Sequence, residues 1–167
     1  IDLTRGNCSV EDLPVGLARD YIGGRGLGDR MLFDEVDPCT DPLSPENKLI
    51  FATGPFTGTG VPAGGRFIVV GKSPLTGAIG NPCCGGYFGA NLKFAGYDAL
   101  ILEGKSPEPV YLSILNDKVT IRPAAHLWGK GATDTERAIR AEMGPEADRW
   151  QKNMLSVAAI GPAGENL

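Results

Sequence analysis

Histidine, clustered basic residues and long apolar segments are what this sequence has least of. Its single histidine, His126, has no evident partner for a catalytic triad or dyad, so we interpret it as a surface or capping residue. The net charge is −4 and the basic residues do not cluster, which argues against nucleic acid as a partner. No apolar run approaches the roughly 18 to 20 residues that a membrane span needs. We therefore expect a cytoplasmic protein that does not bind membranes.

Cysteine is also scarce, and its spacing excludes the common metal motifs. The four cysteines are Cys8, Cys39, Cys83 and Cys84. Apart from the adjacent pair, they lie too far apart for a zinc or iron–sulfur pattern. Neighbouring cysteines seldom bridge each other without strain, so we expect reduced thiols and predict no metal ligands in this chain.

Glycine and proline are abundant instead, with 24 and 13 of the 167 residues. Both residue types favour turns, so the composition predicts many short elements rather than long helices. The length suffices to bury a core without help from disulfides or metal. We predict a single domain over residues 1–167, with no linker and no internal repeat.

Four segments have the residue pattern of helices. In the first, apolar residues recur at helical spacing, with Pro14 suited to the first turn and Gly23 and Gly24 to the stop. In the last, Thr133 and Glu136 form a capping box. The predicted helices cover residues 14–22, 28–36, 85–94 and 133 to about 144.

Short apolar segments between the turns predict strands. Two of them, joined by a Lys-Ser-Pro turn, continue through Asn116 and Asp117 into a third, and together they form the clearest antiparallel meander. The run that begins at Phe67 is almost continuously apolar, which predicts burial on both faces. The predicted strands cover residues 49–54, 67–72, 76–80, 98–104, 109–115, 119–121 and 156–161.

A glycine-rich segment at residues 23–28 joins the first two predicted helices. It resembles the G-x-G-x-x-G nucleotide loop, but Asp29 stands where the third glycine is needed. Two interpretations remain open. The segment is either a joint between two helices or a glycine loop that carries Arg25 toward an anion.

A second glycine-rich region surrounds the predicted strand at residues 67–72. Gly64 and Gly65 precede this strand and Arg66 stands at its start, while a later turn combines two adjacent cysteines with two glycines. Glycine is used where the backbone must adopt positive φ or come close to something bulky. We hypothesise that this region lies against a large polar ligand, with Arg66 as the charged contact.

Seven motifs, taken in order along the chain, resemble the N-terminal domain of the tungsten-containing aldehyde:ferredoxin oxidoreductases. Each motif alone is weak, but their order and spacing agree over nearly the whole sequence. They are Tyr-Ile-Gly-Gly-Arg-Gly-Leu at 21–27, Asp-Pro-Leu-Ser-Pro-Glu-Asn-Lys-Leu-Ile at 41–50, Gly-Pro-Phe-Thr-Gly-Thr at 54–59, Gly-Gly-Arg-Phe at 64–67, Lys-Ser-Pro-Leu-Thr-Gly at 72–77, Gly-Gly-Tyr-Phe-Gly-Ala-Asn-Leu-Lys-Phe-Ala-Gly-Tyr-Asp at 85–98 and Ile-Gly-Pro-Ala-Gly-Glu-Asn at 160–166.

The resemblance implies an α+β fold, with two mainly antiparallel β-sheets and a few short helices that cradle a bis-pyranopterin cofactor of tungsten or molybdenum. It places the counterpart of Arg66 between a pterin and a nearby 4Fe–4S cluster. A guanidinium suits this role because it stays charged and donates in a fixed fork. The cofactor contacts implied for this chain are Arg66, Gly64, Gly65, Cys83, Cys84, Gly85, Gly86 and Arg25.

One departure from the family concerns Cys83 and Cys84, where its members often carry Asn-Ser. On one interpretation the cysteines are simply small residues in a tight turn. On the other, a thiol near the metal site tunes it through weak S–H hydrogen bonds.

The resemblance also implies that this chain is a fragment of a longer enzyme and inactive alone. The family's cluster-binding C-x₂-C-x₃-C run and its acid/base residues do not occur here. In the complete enzyme we expect oxidation of aldehydes to carboxylic acids, with electrons passing through a 4Fe–4S cluster, bound outside this chain, to ferredoxin or another electron-transfer protein. We expect a homodimer. The alternatives are a tungsten enzyme that reduces aromatic acyl-CoA thioesters and a non-catalytic binding module.

Overall fold

The computed structural model describes residues 1–143 and 155–166. It separates into two compact units, Ile1–Ser106 and Pro107–Leu167. The single domain over residues 1–167 stays a prediction. No helix among the described residues has the length and apolar character needed to cross a membrane.

Unit 1 contains three helices and five strands. The helices are α1 (Val15–Tyr21), α2 (Gly24–Glu35) and α3 (Phe88–Phe94), and the strands are β1 (Lys48–Thr53), β2 (Phe67–Lys72), β3 (Ile79–Gly80), β4 (Cys83–Cys84) and β5 (Ala99–Glu103). The strands form one antiparallel sheet in the order β3-β2-β1-β5. β4 pairs with the start of β2, while β3 pairs with its end, so both short strands lie along the same edge of β2.

One face of this sheet packs against α2 and holds the hydrophobic core. Successive side chains of a strand point to opposite faces, and paired residues share a face. Ile50 lies opposite Val70, and Ala52 opposite Ile68. Leu32 of α2 forms one buried cluster with Ile50, Ala52 and Val70. Burial of these side chains removes apolar surface from water and fixes α2 on this face.

The other face of the sheet packs against α3 through aromatic rings. The ring centroids of Phe51, Phe67 and Phe88 lie 5.0 to 6.2 Å apart. Gly89 is buried in α3, and a Cβ atom placed on it would lie 3.1 Å from Cβ of Phe67. β2 therefore has a buried residue on each face, Phe67 on one and Val70 on the other, as its apolar run predicted.

Unit 2 contains the hairpin of β6 (Val110–Leu115) and β7 (Lys118–Pro123), followed by α4 (Ala132–Met143) and α5 (Gly161–Glu165). The hairpin confirms the second turn of the predicted meander, in which Asn116 adopts φ of +54°. The three-stranded meander itself was wrong, because β5 pairs with β1 in the sheet of unit 1, whereas β6 and β7 form a two-stranded sheet of their own. With the sheet of unit 1, the hairpin also confirms the α+β fold with two mainly antiparallel sheets.

Glu142 on α4 links three elements of unit 2. Its carboxylate accepts a hydrogen bond from Tyr111 Oη at 2.8 Å and lies 3.1 Å from His126 Nε2. His126 is half exposed, which confirms its interpretation as a surface residue. Burial and the hydrogen bond to Glu142 raise the pKa of Tyr111 to about 12.

The glycine-rich segment at residues 23–28 is not a loop, because all but its first residue lie in the opening turns of α2. The joint between the helices is shortened to Ile22 and Gly23. A Cβ atom on Gly26 would lie 2.7 Å from the carbonyl oxygen of Tyr21, and one on Gly28 would lie 2.7 Å from Val70 Cγ2. These glycines thus permit close packing of α2 against its neighbours.

Three further predictions were wrong in part or in full. The strand predicted at residues 76–80 is limited to Ile79–Gly80, because a turn occupies the preceding residues. The helix predicted at 85–94 starts only at Phe88, and it buries Gly89 and Leu92. Residues 156–160 form no strand, and a helix with proline in its first turn starts at Gly161.

The capping box predicted for α4 was also wrong. The helix begins at Ala132, so Thr133 lies inside it, and Glu136 pairs with Arg140 at 2.8 Å. The predicted end of this helix near residue 144 lies outside the described residues. Apart from these corrections, the helix predicted at 14–22, the described part of the helix predicted from 133 and the strands predicted at 49–54, 67–72, 98–104, 109–115 and 119–121 are confirmed.

We predict that Gly28→Ala destabilises the protein by about 1–3 kcal/mol, because the added methyl overlaps Val70 and pushes α2 from the sheet. Gly16→Ala in α1 is the matched control, since a Cβ atom there meets nothing within 4 Å. The control should leave stability unchanged or raise it by up to about 1 kcal/mol. Denaturant unfolding of both variants checks this, and equal stabilities would contradict the packing assigned to Gly28.

We also predict that Tyr111 titrates at a pH near 12 in the folded protein and that Glu142→Gln lowers this pKa. Because the folded pKa lies above the unfolded value of about 10, the stabilisation is complete below pH 10 and is lost as the pH rises toward 12. The measurement is a tyrosinate absorbance titration, with Tyr111→Phe subtracted to isolate this residue. A transition near pH 10 would contradict the assignment.

Candidate functional site

Arg66 lies immediately before β2 and extends its side chain into solvent. Its backbone is fixed, because the hydroxyl of buried Thr57 donates to the Arg66 carbonyl oxygen at 3.2 Å. The same hydroxyl accepts a hydrogen bond from the backbone N–H of Gly54 at 3.0 Å. The turn that follows β1 therefore holds the start of β2 while the guanidinium remains exposed.

The two adjacent cysteines lie in β4 rather than in a turn. Cys83 pairs with Ile68, and Cys84 pairs with Phe67. Since paired residues share a face, Cys83 faces the side of the sheet that carries α2, and Cys84 faces the side that carries α3. Both cysteines are free and exposed. Arg66 Nη1 lies 3.7 Å from the Cys83 sulfur, so the structure brings these two predicted residues together.

Arg25 occupies the first turn of α2, and its side chain is exposed. In the same turn, a Cβ atom on Gly24 would lie 3.8 Å from Ile68 Cγ1. Ile68 is the strand partner of Cys83. The first turn of α2 therefore lies on the same side of the sheet as the Arg66–Cys83 contact.

Arg25 and Arg66 differ from most other arginines in lacking a carboxylate partner among the described residues. Carboxylates within 4 Å neutralise Arg5, Arg19, Arg30, Arg137 and Arg140. Arg122 interacts with the phenol of Tyr111. The two arginines that the sequence singled out thus present unneutralised positive charge, which suits an anionic ligand.

The glycine turn at Gly85 and Gly86 is open to solvent. A Cβ atom on either residue would meet nothing within 4 Å, and Gly86 adopts φ of +88°. The carbonyl oxygen of Gly86 lies 3.6 Å from the position of a Cβ atom on Gly65, so the two glycine-rich segments meet at the surface. An open, side-chain-free surface allows a bulky group to approach the backbone closely.

Gly64 has a different explanation from the one that the sequence indicated. A Cβ atom there would lie 2.7 Å from the carbonyl oxygen of Phe56 and 3.1 Å from that of Val61. The preceding residue, Ala63, adopts φ of +62°. Glycine at position 64 is therefore required by the chain's own tight turn.

Sequence reasoning missed Asp29 and Asn81, which connect α2 to the segment before β4. Asn81 Nδ2 donates to Asp29 Oδ2 at 2.9 Å. The second oxygen, Oδ1, is buried and has no hydrogen-bond partner among the described residues. One sequence signal could have placed Asp29 near the candidate site. Asp29 follows Arg25 by four residues, so the two side chains are neighbours on one face of a helix.

The arrangement can bind an anionic group with hydrogen-bond acceptors, as a phosphate-bearing pterin would present. Arg66 and Arg25 supply charge, while Gly65, Gly85 and Gly86 supply accessible backbone. Within residues 1–143 and 155–166, no three His, Cys, Asp or Glu side chains are grouped so that they could hold a metal ion. The exposed charge and accessible backbone fit the phosphate groups that such a cofactor would present.

Comparison with known proteins gives three consistent matches. The family model described as "Aldehyde ferredoxin oxidoreductase, N-terminal domain" matches residues 1–167. The tungsten-containing aldehyde ferredoxin oxidoreductase of Pyrococcus furiosus is 52% identical over 167 residues, covering 100% of this chain and 26% of that protein. The aliphatic sulfonate oxidoreductase, WOR-like subunit, of the same organism is 35% identical over 174 residues, covering 99% of this chain and 28% of that protein.

A solved structure also matches this chain. The active site complex BamBC of benzoyl coenzyme A reductase, with 1,5-dienoyl-CoA, superposes with a TM-score of 0.93 at 44% identity. The match covers 99% of this chain and 24% of the matched one. This chain thus spans about a quarter of the length of the relatives it matches.

We predict that Gly64→Ala lowers stability by about 1–3 kcal/mol, because the added methyl would overlap two backbone carbonyls. Gly85→Ala should change stability by less than about 0.5 kcal/mol, since a Cβ atom there meets nothing. Thermal unfolding of both variants makes the comparison. A larger loss of stability in Gly85→Ala than in Gly64→Ala would show that the two glycine turns have been assigned the wrong roles.

Proposed function

The chain belongs to the family of aldehyde ferredoxin oxidoreductase N-terminal domains, and from this premise we propose that it binds a bis-pyranopterin cofactor of tungsten or molybdenum. The exposed guanidinium of Arg66, which has no carboxylate partner among the described residues and lies beside an open glycine turn, is the observation that carries the proposal. When bound, the cofactor supplies the redox chemistry, and the protein supplies binding and electrostatics.

Arg66 is the principal contact in this proposal. Its fork of N–H donors matches the phosphate oxygens and ring heteroatoms of a pterin. Thr57 fixes its backbone, so the side chain approaches the ligand from a defined position. Arg25 is a secondary contact, and the positive end of the α2 dipole adds to its charge.

The backbone of the glycine turns forms the rest of the proposed contact. Gly85 and Gly86 follow β4 directly and carry no side chain that would keep a flat ring system at a distance. The backbone of Cys83 and Cys84 leads into this turn. Gly65 lies next to Gly86, whereas Gly64 contributes by shaping the turn that positions Gly65.

We further propose that the complete enzyme oxidises aldehydes to carboxylic acids. Relatives that match the whole chain are named for tungsten, aldehyde and ferredoxin, which supports this choice. Electrons would leave through a 4Fe–4S cluster held by residues outside this chain and pass to ferredoxin or another electron-transfer protein. The proposal includes a cytoplasmic homodimer in which the remaining domains complete the active site.

A second candidate function is a subunit of an aromatic acyl-CoA reductase. The similarity to the benzoyl coenzyme A reductase complex favours it, since the TM-score is 0.93 at 44% identity. The full-length protein should be assayed with aldehydes and an artificial electron acceptor, and separately with benzoyl-CoA and a low-potential donor. Aldehyde oxidation without benzoyl-CoA reduction would support the first function, and the reverse result would support the second.

We predict that Arg66→Ala in the full-length protein lowers cofactor retention about tenfold or more. The loss of a charge-assisted hydrogen bond of about 1.5–3 kcal/mol accounts for this size. Arg66→Lys should retain more cofactor than alanine, but less than arginine, because lysine keeps the charge and loses the fork. Tungsten and molybdenum analysis, with pterin content, provides the measurement.

Arg137→Ala is the matched control for this prediction. Arg137 is also exposed, but it lies in α4 and pairs with Asp134. Its removal should leave metal and pterin content unchanged. Normal cofactor content and normal activity in Arg66→Ala would refute the role of Arg66.

A further inference from the structure

We propose that Cys83 is a positioning residue that holds the Arg66 guanidinium on the cofactor-binding side of the sheet, and that Cys84 does not share this role. The inference rests on the proposed function and assigns different tasks to two cysteines that are adjacent in sequence.

The contact between the two side chains is direct. Arg66 Nη1 donates toward the Cys83 sulfur at 3.7 Å, within the longer range of hydrogen bonds to sulfur. No carboxylate among the described residues competes for this guanidinium. A thiol is a weak acceptor, but a thiolate would form a charge-assisted pair with the guanidinium. The contact therefore limits the rotamers of a long, exposed side chain.

Strand register separates the two cysteines. Cys83 is opposite Ile68, two residues beyond Arg66, and Cys84 is opposite Phe67. Because side chains alternate along a strand, Cys84 points to the opposite face from Cys83. The same alternation keeps the two sulfur atoms on opposite faces of β4, so the pair acts as two separate thiols. Only the sulfur of Cys83 faces Arg66.

Two hydrogen bonds fix the segment that carries the Cys83 sulfur. Val69 N–H donates to the carbonyl oxygen of Pro82 at 3.0 Å, which anchors the residue before Cys83 to β2. One residue earlier, Asn81 is tied to Asp29 of α2. Both ends of the Arg66–Cys83 contact are thus fixed by backbone pairing or helix contacts. A fixed acceptor preorganises the guanidinium, which reduces the entropy lost when a ligand binds.

The first experiment tests the contact in cofactor-free, full-length protein. The alkylation rates of Cys83 and Cys84 by iodoacetamide are measured at one fixed pH, and fragment-ion mass spectrometry distinguishes the two sites. Because the Arg66 guanidinium contacts the sulfur of Cys83 and not that of Cys84, Arg66→Gln should change the rate at Cys83 and leave the rate at Cys84 in place. Equal Cys83 rates in the two proteins would overturn the inference.

The second experiment tests positioning through metal and pterin content of the full-length holoenzyme. Cys83→Ala should lower retention severalfold, and Cys83→Ser should restore part of it, because a hydroxyl still accepts a hydrogen bond. The double variant Arg66→Ala/Cys83→Ala should retain as much as Arg66→Ala alone, since Cys83 acts only through Arg66. Cys39→Ala is the matched control and should be unchanged. Cys39 is a free, exposed cysteine, and its two neighbours accept hydrogen bonds from Lys72 at the other end of β2.

The two experiments distinguish failure of this inference from failure of the proposed function. Reduced retention in Arg66→Ala together with normal retention in Cys83→Ala would overturn the positioning role and leave the cofactor site intact. Normal retention in Arg66→Ala would overturn the proposed function, even if the alkylation rates confirm the contact.

Discussion

Backbone pairing along the outer edge of β2 is the constraint on which the candidate site depends. β4 occupies the first two positions of this edge and β3 the last two, so one strand organises both short segments. The pairing also decides which face each side chain of β4 takes, and it places the Cys83 sulfur beside Arg66. A slip of one residue would exchange the faces of the two cysteines and separate the thiol from the guanidinium.

Close approach of α2 to the sheet is the second constraint. Gly28 permits contact with Val70, and Gly23 lies against the backbone at Thr53 and Gly54, so the helix starts beside the end of β1. The glycines that resemble a phosphate loop in sequence therefore serve packing. Because of that packing, the first turn of α2, with Arg25, lies on the same side of the sheet as Arg66.

The local distribution of charge determines which ligands suit the candidate site. The protein carries a net charge of −4, and most of its arginines are neutralised by nearby carboxylates. Positive charge without a carboxylate partner is found at Arg25 and Arg66 within the described residues. A ligand with phosphate groups would gain from both guanidiniums. Local charge, rather than net charge, thus decides what kind of ligand fits.

The sequence by itself determined the local features of this protein. Apolar patterning defined the central strands and the helix at 14–22, and the order of seven motifs pointed to the family. Tertiary structure alone decided that residues 24–28 are helical, that residues 156–160 form no strand and that Gly64 is needed for internal packing. It also decided the opposite orientation of Cys83 and Cys84 and the Asp29–Asn81 contact. The physical reason is that strand register and close packing depend on residues distant in sequence, whereas turn and helix propensities act between neighbours.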